Sequence, residues 1–452
     1  MKILIAGDGK VGSTLARQLS AEGHDLVLID SDMHVLERTE EQYDLLAIQG
    51  NCASMQTLRQ ADVEHADILI ACTGTDEVNL LCCMTAHQLN PDIHTIARIR
   101  APEYVEQAYE MRDAFALSMT FNPEKQAAQE IERLLKYPGF LKRDSFVQGK
   151  VEIAELLVDA KSKLCNVSLT EISNVVKSKV LVCTVLRGEK VITPNGRSVL
   201  REGDRVFVTA PSDQLAILLK NLGIVRHRVR NVLIAGGGMV SYYLAERLEK
   251  SSIKVHLFDK DLDRCTKLAE LLPNANVVHG DVTNQAFLAS ERFADYDALV
   301  SLTGYDELNM VVSMYGSTCG IPQIVTKLGH VENFKLTSSL PIGSVICPRK
   351  LCCNNIVRYV RAMQNQTGAA LSIHSIAEGQ AEAMEFEVDE NTLHCGESLR
   401  RIKLKKNVLI ACITHAGFVE IPNGDSAFHK GDRIVIVSSA EEVILQLNDI
   451  FA

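Results

Sequence analysis

The chain repeats itself at half its length. Residues 1–11 read MKILIAGDGKV and residues 230–240 read RNVLIAGGGMV. Gly7 pairs with Gly236 and Asp30 with Asp259, both at an offset of 229. Further on, ACTGTDEVN (71–79) meets VSLTGYDELN (300–309), and TPNG (193–196) meets IPNG (421–424). Gly203–Asp204–Arg205 meets Gly431–Asp432–Arg433 at an offset of 228. Offsets this steady mean one unit of about 230 residues, duplicated in tandem. That period excludes solenoid arrays, which repeat every 20–50 residues or so.

Each unit has two textures. Its first part alternates apolar runs with amphipathic stretches: KILIAG, VGSTLARQLSAEG, DLVLID, HVLERTEEQ, then DLLAIQG, ADILIAC, DEVNLLCCMTAHQL and IHTIARI. Continuous apolar strands separated by helices predict a parallel sheet covered on both faces. The second part, about 150–222 and 384–448, carries VLVCTVLR and DRVFVTA between Pro-Asn-Gly and Gly-Asp turn signals and ends in a short apolar helix. The expected architecture is therefore α/β: two Rossmann-like, doubly wound domains at 1–138 and 227–365, each followed by a small α+β domain, at 139–226 and 366–452. The basic stretch IVRHRVR (224–230) reads as a solvated connector or a contact to an acidic partner.

Composition narrows the function class. Of the 452 residues, 46% are hydrophobic and 23% charged, as in globular proteins with real cores. A net charge of −10 argues against a nucleic-acid partner. No run approaches the 18 or so apolar residues of a membrane span, and the strand-like start is not an export signal, so a cytosolic location is expected. The 13 cysteines are odd in number and scattered, with two vicinal pairs and no Cys-x-x-Cys. They read as reduced, buried small hydrophobes, and no metal site is expected.

GDGKVG places Gly7, Gly9 and Gly12 in the Gly-x-Gly-x-x-Gly pattern, directly after a strand and opening a helix. Asp30 ends the next strand 18 residues past Gly12, near the spacing of the acid that holds an adenosine ribose. Each residue type has a task. Gly7 allows the tight turn, Gly9 admits a pyrophosphate close to the backbone, and Gly12 lets helix and strand pack. The helix N-terminus offers free N–H groups to phosphate. Asp30 would hold both ribose hydroxyls and repel a 2′-phosphate, favouring NAD(H). The second copy, GGGMVS, keeps Gly236 and Gly238, puts Ser241 in the third position, and again has its acid, Asp259, 18 residues on.

Ligands sit at the carboxyl ends of parallel strands, which adds further candidates. Thr73–Gly74 and Thr303–Gly304 end the fourth strands, either facing phosphate and ribose or capping the helices that follow. Asn51 and Asp281 follow the third strands, as adenine contacts or as polar turns. Arg98 and Lys327 end the fifth strands, where a cation would neutralise a pyrophosphate. No catalytic residues are expected: none of the ten tyrosines is followed four residues later by lysine, and no acid or base motif stands ready for a nicotinamide.

The doubled set ILIAGDGKVGSTLARQL, LIDSD, GN, TGTDEVN and ARIR, each copy followed by a PNG…GDRVFV-like domain, resembles TrkA, the peripheral nucleotide-binding subunits of bacterial Trk potassium uptake systems. The likeness spans essentially the whole chain. It implies tandem RCK domains forming a homotetrameric ring beneath a Trk-type membrane subunit. It also implies that NAD(H), and adenine nucleotides such as ATP and ADP, bind the Rossmann parts and alter gating. Carried over, the binding loops fall on Gly7, Asp8, Gly9, Lys10, Val11 and Gly12, and on Gly236, Gly237, Gly238, Met239 and Val240. The ribose acids fall on Asp30 and Asp259. Later contacts fall on Thr73, Gly74 and Arg98, and on Thr303, Gly304 and Lys327. Ser241 and Lys327 depart from the first copy, so the second site need not prefer the same nucleotide. The competing readings are an NAD-dependent oxidoreductase with a duplicated fold and a free-standing nucleotide sensor.

Overall fold

The structure is a computed structural model, and it describes every residue except 137–141, 161, 189, 223–228, 330–339, 364–369, 378–379, 440–443 and 445. Most of the basic connector and the final helix expected for the second unit lie outside the described residues.

The first unit opens with β1 (Lys2–Ala6), α1 (Gly12–Ala21), β2 (Asp25–Asp30), α2 (Met33–Glu40), β3 (Leu46–Gln49) and α3 (Met55–Gln60). It continues with β4 (Ile68–Ala71), α4 (Asp76–Leu89), β5 (His94–Arg98), α5 (Pro102–Glu110), β6 (Met119–Phe121) and α6 (Pro123–Lys136). Its six strands pair in the order β3-β2-β1-β4-β5-β6, all parallel. Both faces are covered: Ile3 and Ile5 pack on one side, Leu4 and Ala6 on the other. That is why these strands read as unbroken apolar runs rather than alternating ones. A sixth strand of three residues is too short to show a pattern in the sequence.

The small domain follows, with β7 (Lys142–Phe146), β8 (Val151–Leu157), α7 (Ile172–Val176), β9 (Leu181–Arg187), β10 (Lys190–Ile192), β11 (Arg205–Pro211) and α8 (Ser212–Asn221). Its antiparallel sheet runs β10-β9-β11-β8-β7.

The second unit repeats this plan. Its Rossmann part holds β12 (Asn231–Ala235), α9 (Met239–Lys250), β13 (Lys254–Asp259), α10 (Leu262–Leu271), β14 (Asn276–His279), α11 (Gln285–Ser290), β15 (Ala298–Ser301), α12 (Asp306–Thr318), β16 (Gln323–Lys327), β17 (Ser344–Ile346) and α13 (Pro348–Met363). The strand order is again 3-2-1-4-5-6, as β14-β13-β12-β15-β16-β17. The small domain holds β18 (Ser372–Ile376), β19 (Ala381–Glu387), β20 (Val408–His415), β21 (Phe418–Glu420) and β22 (Arg433–Ser439), ordered β18-β19-β22-β20-β21.

The units exchange helices. α6 belongs to the first unit by chain order, yet Ala127, Ala128, Ile131, Leu134 and Leu135 are buried against β12, α9 and the second sheet. Reciprocally, Cys352, Cys353, Ile356, Val357 and Val360 of α13 are buried against α1 and the first sheet. Polar contacts hold the exchange: Glu132 takes Arg247 and Ser251, and Arg361 forks onto Glu22 with Nη2–Oε1 at 2.6 Å. The small domains also share one core, with Phe146, Val151 and Phe207 packed among Ala383, Cys412 and Val435. Ten of the cysteines are buried, and all thirteen are free thiols. Among the described residues no helix is long and apolar enough to cross a membrane.

Candidate nucleotide-binding clefts

The strand order reverses between β1 and β4, which opens a crevice at their carboxyl ends. Gly7 turns there with φ +103°, and a Cβ on it would stand 3.0 Å from the Thr73 backbone. A Cβ on Gly12 would meet the Gly7 carbonyl oxygen at 1.8 Å. Both positions therefore require glycine. Gly9 and Gly74 differ, since a Cβ on either meets nothing within 4 Å. Open space at these two residues is where a phosphate would approach the backbone.

Asp30 ends β2 at the rim of this crevice. Its Oδ2 accepts the Asp8 N–H at 2.6 Å and its Oδ1 the Asp32 N–H at 3.0 Å. The carboxylate is thus held rigidly, with lone pairs left for a diol. Asp8 is itself buried, and its Oδ2 accepts the Thr39 hydroxyl at 2.6 Å. Burial pushes the Asp8 carboxyl up to about 6, helped by the Asp30 charge and opposed by Thr39. The loop is therefore tied to α2 by a carboxyl that resists ionisation. Lys10 offers its carbonyl to Arg349 Nη1, from the head of α13, at 3.4 Å. Val11 is buried beneath the loop.

At the end of β4, the backbone N–H and hydroxyl of Thr73 both donate to Asn79 Oδ1, at 2.8 and 2.7 Å. Asn79 Nδ2 then donates to the Arg98 carbonyl at 2.9 Å. The Thr73 hydroxyl does not cap α4; a buried asparagine of that helix clamps the ends of β4 and β5 instead. Asn309 repeats the clamp on Thr303 and the Lys327 carbonyl. Neither asparagine is among the contacts expected from the sequence, although Asn79 closes TGTDEVN and Asn309 closes TGYDELN. Their signal was a polar residue inside the buried stripe of a helix.

Arg98 lies at the crevice with Nη2 3.2 Å from Glu124 Oε1. Arg100, also not singled out from the sequence, reaches the Gly74 carbonyl. Asn51 and Asp281 use their side-chain oxygens to close turns, onto Ala53 N at 3.0 Å and Thr283 N at 2.8 Å. Those bonds match the polar-turn alternative.

The second cleft has the same skeleton and different chemistry. Gly236 turns with φ +103°, and Ser241, fully buried, points its hydroxyl at the Gly236 carbonyl. Gly237 replaces Asp8, and its N–H donates to Asp259 Oδ2 at 2.6 Å. A Cβ on Gly237 would lie 2.8 Å from Leu268 Cδ1 and 3.1 Å from Asp259 Oδ2, so a side chain there would require these neighbours to shift. Asp259 is buried, and Arg264 Nη1 stands 3.4 Å from its Oδ2. Asp30 has no such cation on it among the described residues. Gly238 and Gly304 border open space as their counterparts do, and Met239 and Val240 begin α9. Lys327 is half-buried, and its desolvation lowers its pKa against the pull of Asp306 and Glu124. Its Nζ donates to the Leu302 carbonyl at 3.3 Å.

Comparison with known proteins agrees with this geometry. The TrkA-N domain model matches residues 3–117 and 232–348, and the TrkA-C domain model matches 153–223 and 383–451. A Trk system potassium uptake protein TrkA homolog from Archaeoglobus fulgidus is 32% identical over 98% of both chains. Among solved structures, a GsuK channel bound to NAD superposes with a TM-score of 0.63 at 18% identity, covering 97% of this chain and 77% of that one. A GsuK structure bound to ADP superposes at 0.50, with 14% identity over 80% and 70% of the two chains. The twice-built crevice, the paired small domains and this full-length likeness lead to one conclusion: the chain belongs to the TrkA family of Trk potassium uptake proteins.

Proposed function

We propose that this chain is a cytoplasmic regulatory subunit that binds nucleotides in its two clefts and gates a Trk-type potassium uptake membrane protein, docking on the inner face of the membrane through that partner. The supporting observation is the conjunction of full-length membership in the family with two loops whose central glycines, Gly9 and Gly238, border open space. NAD(H) is the proposed ligand of the first cleft, where Asp30 carries no cation among the described residues and would reject a 2′-phosphate. Adenine nucleotides such as ATP and ADP are proposed alongside it. The bound ligands of the two GsuK structures, NAD and ADP, support that pairing. A homotetrameric ring and the domain bounds 1–138, 139–226, 227–365 and 366–452 complete the proposal.

A ligand drives gating only through unequal affinity for two shapes of the assembly, typically by 1–3 kcal/mol. Fused duplicate clefts that exchange helices are suited to this, because a change in one cleft reaches the core of the other. The role is regulatory rather than enzymatic. Calorimetry with NADH, NAD⁺, ATP, ADP and NADPH, followed by potassium flux through a Trk-type membrane subunit with and without the chain, tests it. Binding that leaves flux unchanged overturns the gating role. Steady NADH consumption with carbonyl substrates moves the chain to the oxidoreductases.

A further inference from the structure

The two small domains solve the same electrostatic problem in different ways. In the first, buried Asp204 accepts the Arg201 N–H on its Oδ2 at 2.8 Å. Arg187 then forks onto the carboxylate, Nε to Oδ1 at 2.8 Å and Nη2 to Oδ2 at 2.7 Å. In the second, buried Asp432 accepts the His429 N–H on its Oδ2 at 2.7 Å, in the same turn. At an offset of 228, however, Arg187 has become His415 and Arg201 has become His429. A buried carboxylate has exchanged a permanent cation for two imidazoles.

Those imidazoles converge. His415 Nδ1 is 2.8 Å from Asp432 Oδ2, and His429 Nδ1 is 3.8 Å from the same oxygen. The three donor atoms lie within 4.8 Å of one another. On its far side, His415 Nε2 is 3.0 Å from Glu420 Oε2, and Glu420 takes the Ser426 hydroxyl. A carboxylate on the outer nitrogen of a histidine fixes the tautomer that leaves the inner nitrogen free as a ligand. The residue equivalent to Glu420 in the first unit is Ile192, so the orienting acid appears only where the histidines do.

We propose that His415, His429 and Asp432 form a divalent transition-metal site of the zinc class, with Glu420 orienting His415. The metal supplies the charge that Arg187 supplies in the first unit. Two imidazoles and one carboxylate suit zinc, cobalt or nickel rather than magnesium or calcium, which prefer all-oxygen shells. Three protein ligands leave a fourth position, and the His429 side chain, 64% exposed, opens it to water. The site borders the joint between the small domains: Lys150 Nζ donates to the Gly417 carbonyl at 3.1 Å, and the Lys179 charge reaches Glu420. Metal binding would therefore stiffen the paired small domains from one side. The ligands stand 14 and 3 residues apart, a spacing that matches no familiar metal motif.

The test uses the full chain, stripped with chelator and titrated with Co²⁺. The expected result is one Co²⁺ per chain with a visible d–d band and no thiolate charge-transfer band, displaced by Zn²⁺. His415→Arg, which writes the first unit's pair into the second, and His429→Ala should abolish the band. Glu420→Gln should weaken binding about 10–100-fold. His429→Ala removes a mostly exposed side chain, so it carries the test even if His415→Arg fails to fold. Absence of uptake, a thiolate band, or an unchanged band in His429→Ala overturns the proposal.

Discussion

Asp8 is the residue that works against its own fold. Its carboxyl is buried beside Asp30 with one oxygen unpartnered among the described residues, and it holds its proton up to about pH 6 against an ordinary value of 3.8. The folded chain therefore binds this proton more tightly than the unfolded chain does. Ionisation costs stability fully above pH 6, and the cost vanishes as pH falls below 3.8. Asp8→Asn should stabilise the protein by about 1–3 kcal/mol at neutral pH, with the gain fading between these limits. Denaturant melts across a pH series check it, and a gain independent of pH would remove the assignment. Asp30 carries the complementary prediction. Loss of charge-assisted hydrogen bonds to a ribose diol in Asp30→Ala should weaken NADH binding by about 1–3 kcal/mol. Unchanged affinity in calorimetry would show that Asp30 only braces the loop through Asp8 and Asp32.

Elements, rather than single residues, make the two clefts unequal. Each exchanged helix brings its first turn to the other unit, and those turns have diverged. α13 carries Arg349 to the Lys10 carbonyl of the first loop, whereas α6 carries Glu124, whose charge reaches Lys327 and Tyr243 of the second unit. The first cleft thus gains the Arg349 guanidinium, while Glu124, ion-paired to Arg98 of the first cleft, also places its charge near Lys327 of the second. Arg264 over Asp259 further occupies the acid that a ribose would need. The second cleft should therefore be less selective for a dinucleotide and favour ATP or ADP. Gly9→Val and Gly238→Val separate the sites, since the Cβ added at either position enters open space. Tight NADH binding should disappear in Gly9→Val and survive in Gly238→Val. Equal losses in both would show equivalent clefts.

At the scale of the whole molecule, the helix exchange makes each half a structural part of the other. Ile131 is fully buried against the second sheet and Ile356 against the first. Ile131→Ala should cost about 2–5 kcal/mol. Hydrogen exchange should rise in α9, across the chain, rather than in the β4–β5 region of its own unit, and Ile356→Ala should mirror this in α1. Exchange rising only in the mutated unit would contradict the packing. How much of this was legible in the residues follows from the range of the interactions. Apolar runs, glycine loops and an aspartate at a strand end are local patterns, set by neighbours a few residues away. They were enough to specify two doubly wound sheets, the crevice at Gly7 and Thr73, and the acids Asp30 and Asp259. The offset of 229 supplied the pseudo-symmetry. What the local pattern lacks is an address. The apolar stripe of α6 suits either of two sheets descended from one ancestor, so only the assembled chain decides that it covers the second. The same holds for the pairing of Arg361 with Glu22, the pairing of Arg247 with Glu132, and the meeting of His415 with His429. Each joins side chains whose contact depends on where a helix or turn finally lies, and that is settled by packing over long sequence separations.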